Sequence, residues 1–205
     1  SRGLGDVYKR QDTEDAVLYV LANEHAYDTT RISVGGSSAG GNMALSLSAR
    51  LGSERIKSCF ALYPAAHLTH PERLDTVMGC VSDKFRSGVV IPHWCMKLFI
   101  NAYTTPGTDM NDPRLSPMFY DASKFPKYVA VACGDADTLY RMSFDLMKKI
   151  SGSASGTNVD GSRKFICVLN EAHEFNTFGR TRASQEERDR VEGEAINMIR
   201  ASWRQ

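Results

Sequence analysis

Apolar residues in this chain gather into four short, nearly continuous runs, separated by stretches in which they recur every three or four positions. The runs are Arg31 to Val34 ending at Gly35, Ile56 to Tyr63 ended by Pro64, Lys127 to Cys133, and Lys164 to Leu169. Runs of this length bounded by Gly or Pro predict strands, and their lack of strict alternation predicts strands buried on both faces. Helical periodicity covers residues 12–26, with apolar Ala16, Val17, Val20 and Leu21 and with Asp12, Glu14 and Asp15 suited to a helix N-terminus. Further helices are predicted at 41–51, 92–103, 139–150 and 185–203. Strands alternating with helices imply an α/β fold, a parallel sheet flanked by helices, and place any active site at the carboxyl ends of the strands.

One long interval, residues 69–121, breaks the alternation. It holds the predicted helix 92–103, which bears Trp94, Met96, Leu98 and Phe99, and the turn-rich Asp112-Pro113-Arg114-Leu115-Ser116-Pro117. An apolar insertion after a strand's carboxyl end is placed to roof a site. Trp94, Phe99, Tyr103 and Phe119 are candidates for its apolar wall, with plain core packing as the alternative. Residues 151–163, rich in Ser and Gly, read as a surface loop. No internal repeat is visible.

The 205 residues suffice for one domain, and 42% hydrophobic with 24% charged residues is ordinary globular composition. A formal net charge of +1 gives no field that would favour nucleic acid or an anionic membrane, so a small organic substrate is the expected partner. No apolar run reaches the length of a transmembrane segment, and no secretory signal opens the chain. The five cysteines, Cys59, Cys80, Cys95, Cys133 and Cys167, lack any CxxC pairing and read as buried free thiols of a reducing, cytoplasmic compartment. The five histidines lack metal-ligand spacing, so no catalytic metal is expected. Nothing in the chain specifies an oligomeric state.

The candidate chemistry begins in Gly35-Gly36-Ser37-Ser38-Ala39-Gly40-Gly41-Asn42, which joins a strand to a helix through a serine at the apex. Gly36-x-Ser38-x-Gly40 matches a nucleophile elbow, whose strained serine brings its flanking residues so close that only small ones fit. A serine needs an imidazole base and an orienting carboxylate. Gly134-Asp135-Ala136-Asp137-Thr138-Leu139 follows the third strand, and Asn170-Glu171-Ala172-His173-Glu174-Phe175 follows the fourth. Nucleophile, acid and base are thus delivered to one sheet edge in the order Ser, Asp, His. Asp135 and Asp137 compete for the acid, and helix N-capping is the alternative use of either. His67, His70 and His93 read as loop histidines.

The elbow, Leu62-Tyr63-Pro64, Asp112-Pro113-x-x-Ser116-Pro117, Gly134-x-x-Asp137-x-Leu139 and His173-x-Phe175 together resemble the hormone-sensitive-lipase-like branch of the α/β hydrolases, from about residue 12 to the C-terminus. That resemblance implies a serine hydrolase of carboxylic esters with small or medium acyl chains, working through an acyl-enzyme intermediate without a cofactor. It implies Ser38 as nucleophile, His173 as base and then acid, Asp137 as the carboxylate, and the Ala39 N–H as one oxyanion donor. Two positions depart from the branch: Ser37 replaces its usual aspartate, and Glu174 its usual glycine. The branch also carries a His-Gly-Gly-Gly-type oxyanion loop ahead of the elbow, and no Gly pair precedes Gly35-Gly36 here. Losing one oxyanion donor costs ~100- to 1000-fold in turnover. The expectation is therefore an N-terminally truncated catalytic domain over residues 12–205, with little activity of its own, a cap-like insertion at 69–121, and a non-native artefact or tail at 1–11. The alternative reading is a ligand-binding, receptor-like protein on the same fold.

Overall fold

The computed structural model describes residues 4–204, with side chains from residue 11 onward. Helix α1 (Leu4–Ala22) leads to strand β1 (Ser33–Ser37), helix α2 (Ala39–Arg55) and strand β2 (Ser58–Leu62). A long excursion carrying α3 (His93–Tyr103) returns to β3 (Tyr128–Gly134), α4 (Tyr140–Ser151) and β4 (Arg163–Val168). The short α5 (Phe175–Phe178) and the long α6 (Arg182–Ser202) complete the chain.

The four strands pair in parallel in the order β1-β2-β3-β4. Registers Ser37↔Leu62, Leu62↔Ala132 and Gly134↔Val168 bring their carboxyl ends out along one rim. Alternate residues of β3 feed two cores. Val129 and Val131 pack with Leu45 of α2 and Leu146 of α4 on one face, while Ala130 and Ala132 pack with Val191 and Met198 of α6 on the other. Both faces of the inner strands are thus apolar, which is why their sequence runs without alternation.

Boundaries moved where glycine and charge were the only guides. Strand β1 was expected over 31–35 and instead runs through both glycines to Ser37. A side chain at Gly35 would lie 2.9 Å from the Phe60 carbonyl oxygen, so glycine serves the close approach of two strands here, not the turn. Helix α2 keeps its expected end: Gly52, at φ 75°, interrupts it one residue past Leu51. Helix α1 begins at Leu4 and ends at Ala22, where Asn23 Nδ2 donates to the Tyr19 carbonyl at 2.7 Å. Asp12, Glu14 and Asp15 therefore lie within the helix, not at its N-terminus, and Glu14 pairs with Arg50 of α2 at 2.8 Å. Ala16 is exposed, and Val17, Val20 and Leu21 are only half-buried.

The excursion between β2 and β3 is anchored by the motif at 112–117. The Ser116 hydroxyl lies 2.9 Å from the Met110 carbonyl and 3.1 Å from the Leu68 carbonyl, sharing its one proton between them, and accepts the Leu68 N–H at 3.0 Å. Asn42 of α2 donates to the Ala65 and Leu115 carbonyls at 2.7 and 2.9 Å. These bonds fasten the exit of β2 to the start of α2. Trp94 and Phe99 of α3 do not pack in the core. The buried face of the helix is Met96 and Ile100, whereas Trp94 is 68% exposed and Phe99 53%. Tyr103 packs against the core, and Phe119 packs edge-on against His67. Among the described residues no helix is long and apolar enough to cross a membrane. The thiols divide: Cys59 and Cys133 are buried, Cys95 and Cys167 half-buried, and Cys80 is exposed.

Candidate active site

Ser38 lies between β1 and α2 at φ 52°, ψ −118°. Its N–H donates to the Leu62 carbonyl at 2.9 Å, and its own carbonyl accepts from the Asn42 N–H at 3.0 Å. Ser38 thus closes a strand and opens a helix with one residue in between. The geometry depends on Gly36: a Cβ there would come within 2.6 Å of the Gly40 carbonyl carbon and oxygen. Gly40 is different, because a Cβ on it meets nothing within 4 Å. The expectation that both flanking glycines are sterically required therefore holds at Gly36 and fails at Gly40.

Two further rim segments converge on the serine. The His173 Nε2 stands 3.0 Å from Ser38 Oγ, and its Nδ1 stands 2.8 Å from Asp137 Oδ2. Asp137 is fully buried and His173 is 3% exposed. The carboxylate only accepts, so the proton between it and the ring belongs on Nδ1, and Nε2 presents a lone pair to the serine hydroxyl. The other oxygen of Asp137, Oδ1, accepts the Leu139 N–H at 2.8 Å, which holds the carboxylate in orientation. Asp137 is both helix-entry acceptor and imidazole partner.

Asp135 is excluded from that place by its own bond. Its Oδ1 accepts the Asn170 N–H at 2.7 Å, tying the end of β3 to the loop that carries His173. Ala39, expected as an oxyanion donor, is the first residue of α2 and is exposed. The first backbone bond of that helix is Asn42 to Ser38, so the N–H groups of its opening turn lie outside the ladder.

Sequence reasoning gave Tyr63 no role. It follows β2 at φ 37°, is 1% exposed, and places its ring 4.4 Å from the His173 ring and 5.8 Å from Phe175. Its hydroxyl donates to Asn176 Oδ1 at 2.5 Å. Burial raises its phenol to about 12, so it stays a neutral donor across the ordinary pH range. The Leu62-Tyr63-Pro64 motif was the available signal. Burial likewise pushes the neighbouring Cys133 thiol well up, which keeps it neutral beside Asp137.

Ser38, Tyr63, Asn170 and Glu174 are the non-glycine residues with positive φ among the described residues, and all four lie on this one rim. Strained backbone gathers where surrounding structure over-determines it. At Glu174 the departure noted in the sequence carries a backbone cost, since φ 58°, ψ 30° is a conformation glycine adopts freely and glutamate does not. Glu174→Gly is expected to raise stability by ~0.5–1 kcal/mol, read as an upward shift of the thermal midpoint. No gain would mean that the Glu174 side chain offsets its own backbone cost. Among the described residues no group of three or more His, Cys, Asp or Glu could hold a metal ion.

The same architecture recurs in solved structures. EstE1, a thermophilic and thermostable carboxylesterase cloned from a metagenomic library, superposes with a TM-score of 0.71 at 24% identity, over 95% of this chain and 63% of that one. An esterase from the hyperthermophilic archaeon Pyrobaculum calidifontis gives 0.68 at 20% identity, over 93% and 59%. Brefeldin A esterase, a bacterial homologue of human hormone-sensitive lipase, gives 0.66 at 22% identity, over 94% and 54%. At these identities the likeness is one of fold, and this chain spans about three-fifths of the length of those proteins. No curated protein sequence matches the chain. The profile of the alpha/beta hydrolase fold family matches residues 9–176, and the chain belongs to that family.

Proposed function

We propose that the protein is a serine hydrolase of the hormone-sensitive-lipase-like branch, cleaving carboxylic esters of small or medium acyl chain. The observation that carries this reading is the unbroken hydrogen-bonded chain Ser38–His173–Asp137, with the serine in a strained backbone conformation. Esterases among the fold relatives support it.

In the proposed reaction Ser38 Oγ attacks the ester carbonyl carbon while His173 Nε2 takes the hydroxyl proton. Asp137 holds the ring and stabilises the imidazolium that forms. The Ala39 N–H donates to the oxyanion. The tetrahedral intermediate collapses, the alkoxide takes the proton from His173 and leaves as the alcohol, and Ser38 remains acylated. Water, deprotonated by His173, then attacks the acyl carbon and releases the acid, and Ser38 recovers its proton. No step calls for a cofactor or a metal.

A fluorophosphonate probe is expected to label Ser38, identified by mass spectrometry of the modified peptide, and Ser38→Ala is expected to remove that labelling without changing the unfolding midpoint. Absence of labelling on a folded chain that still binds ester analogues would favour the receptor-like alternative.

A further inference from the structure

The loop that carries His173 is held by a carboxylate that the proposed chemistry does not use. Glu171, two residues upstream, has no exposed surface. Its Oε1 accepts from Ser184 Oγ at 2.9 Å and pairs with Arg86 Nη2 at 3.1 Å, and its Oε2 accepts from Ser87 Oγ. A buried carboxylate carries a desolvation cost of several kcal/mol unless its lone pairs are met. Here they are met by three side chains from two distant parts of the chain. Arg86 and Ser87 belong to the excursion between β2 and β3, and Ser184 belongs to the first turn of α6.

The backbone reinforces the same junction. Val89 and His173 exchange N–H···O bonds of 2.8 and 3.0 Å, and the Ala172 N–H donates to the Ser87 carbonyl at 2.9 Å. Arg86 also donates, through Nη2, to the Leu169 carbonyl at 2.9 Å, and through its N–H to the Asn170 carbonyl at 2.7 Å. Residues 86–89 form a strap lying directly along the histidine loop. Gly88, at φ 94°, makes the approach possible, because a Cβ there would fall 2.4 Å from the His173 carbonyl oxygen. The strap fixes the loop from one side, α6 from another, and the Glu171 carboxylate is where they meet.

We propose that Glu171 is a positioning residue for the His173 imidazole, holding it on Ser38 by clamping the strap at 86–89 and the first turn of α6 to the histidine loop. This rests on the proposed role of His173 as the base. Replacing the carboxylate by an amide leaves Arg86 without its buried counter-charge and sets an NH2 donor where one of the two hydroxyls had an acceptor, so the loop loosens at the point that aims the ring. A misplacement of ~1 Å in a reacting group costs ~100-fold in rate.

The test is Glu171→Gln, with Arg86→Met and the double variant, each read in three ways. These are the rate of fluorophosphonate labelling of Ser38 at saturating probe, the probe concentration giving half that rate, and the downfield NMR signal of the His173 Nδ1 proton. The expected result for Glu171→Gln is labelling ~10- to 100-fold slower, an unchanged half-saturating concentration, a shifted or broadened Nδ1 signal, and cooperative unfolding retained. Arg86→Met is expected to slow labelling less, and the double variant no more than Glu171→Gln alone. A Glu171→Gln protein that unfolds at a lower temperature yet labels at the wild-type rate with an unchanged Nδ1 signal would overturn the proposal, leaving Glu171 a structural group only. Should that variant not fold, Ser87→Ala carries the same readings: slowed labelling with a moved Nδ1 signal supports the positioning role, and no change in either overturns it. A wild-type chain that folds but never labels defeats the hydrolase reading instead, and the Nδ1 signal of Glu171→Gln then decides the positioning claim alone.

Discussion

Asp137→Asn is expected to slow fluorophosphonate labelling of Ser38 by ~10⁴-fold, while Asp135→Asn slows it by less than about tenfold. Both aspartates follow β3, both are buried, and they are two residues apart, so the contrast is a test of geometry alone. Asp137 places Oδ2 2.8 Å from His173 Nδ1 and fills its other oxygen with the Leu139 N–H. An asparagine there can turn its amide nitrogen toward the ring, which forces the proton from Nδ1 to Nε2 and aims a donor at the serine hydroxyl. The proposed base is then in the wrong tautomer with every atom still in place. Asp135 accepts only the Asn170 N–H in the described contacts of its side chain, and an amide oxygen accepts that bond equally well. Equal losses in the two variants, with both proteins folded, would refute the assignment of roles.

Gly134→Ala is expected to destabilise the protein by on the order of 3–5 kcal/mol, lowering the thermal midpoint by ~10 °C or more. A Cβ on Gly134 would lie 2.0 Å from the Glu171 carbonyl oxygen and 2.6 Å from its carbonyl carbon. Those are backbone atoms of the histidine loop, and that loop is held by Asp135, by the strap at 86–89 and by Ser184. It has nowhere to retreat without breaking those bonds. Labelling of Ser38 should fall with stability, because the displaced segment is the one that delivers His173. Gly40→Ala is the control: the residue lies in the first turn of α2, its Cβ meets open space, and alanine there changes stability by less than about 1 kcal/mol. A Gly134→Ala protein with wild-type stability would show that the strand end can move away from the loop.

Four strands, the flanking helices and the order Ser, Asp, His were legible because each rests on local chemistry. Apolar runs of strand length, the Gly-x-Ser-x-Gly spacing and carboxylate or imidazole groups just past strand ends all declare themselves within a few residues. Helix boundaries failed where the clue was charge. The acids at 12–15 suggested a helix N-terminus, yet Glu14 is used sideways, against Arg50 of a helix that lies nearby only in the folded chain. Core packing of the α3 aromatics Trp94 and Phe99 failed for a related reason. Trp94 and Phe99 share a helix with Met96 and Ile100, and periodicity shows two faces without saying which one meets the core.

The residues by themselves left Asp135 and Asp137 in competition, since both follow the strand and both suit a helix entry, and it was the family resemblance, through Gly134-x-x-Asp137, that pointed to Asp137. In the folded chain Asp137 meets the ring and Asp135 meets the Asn170 N–H, contacts that exist only once β3 and β4 pair. The same holds for Glu171, Arg86, Ser87 and Tyr63, whose partners lie in other segments of the chain. By itself, then, the sequence determined the fold class, the strand-turn-helix around Ser38 and the pool of residues able to do the chemistry, because short-range patterning and backbone sterics write these locally. Tertiary structure alone decided which oxygen of Asp137 meets the imidazole, which glycine is indispensable and what holds the histidine loop, because hydrogen bonds and close contacts between distant segments are set by packing that no local pattern records.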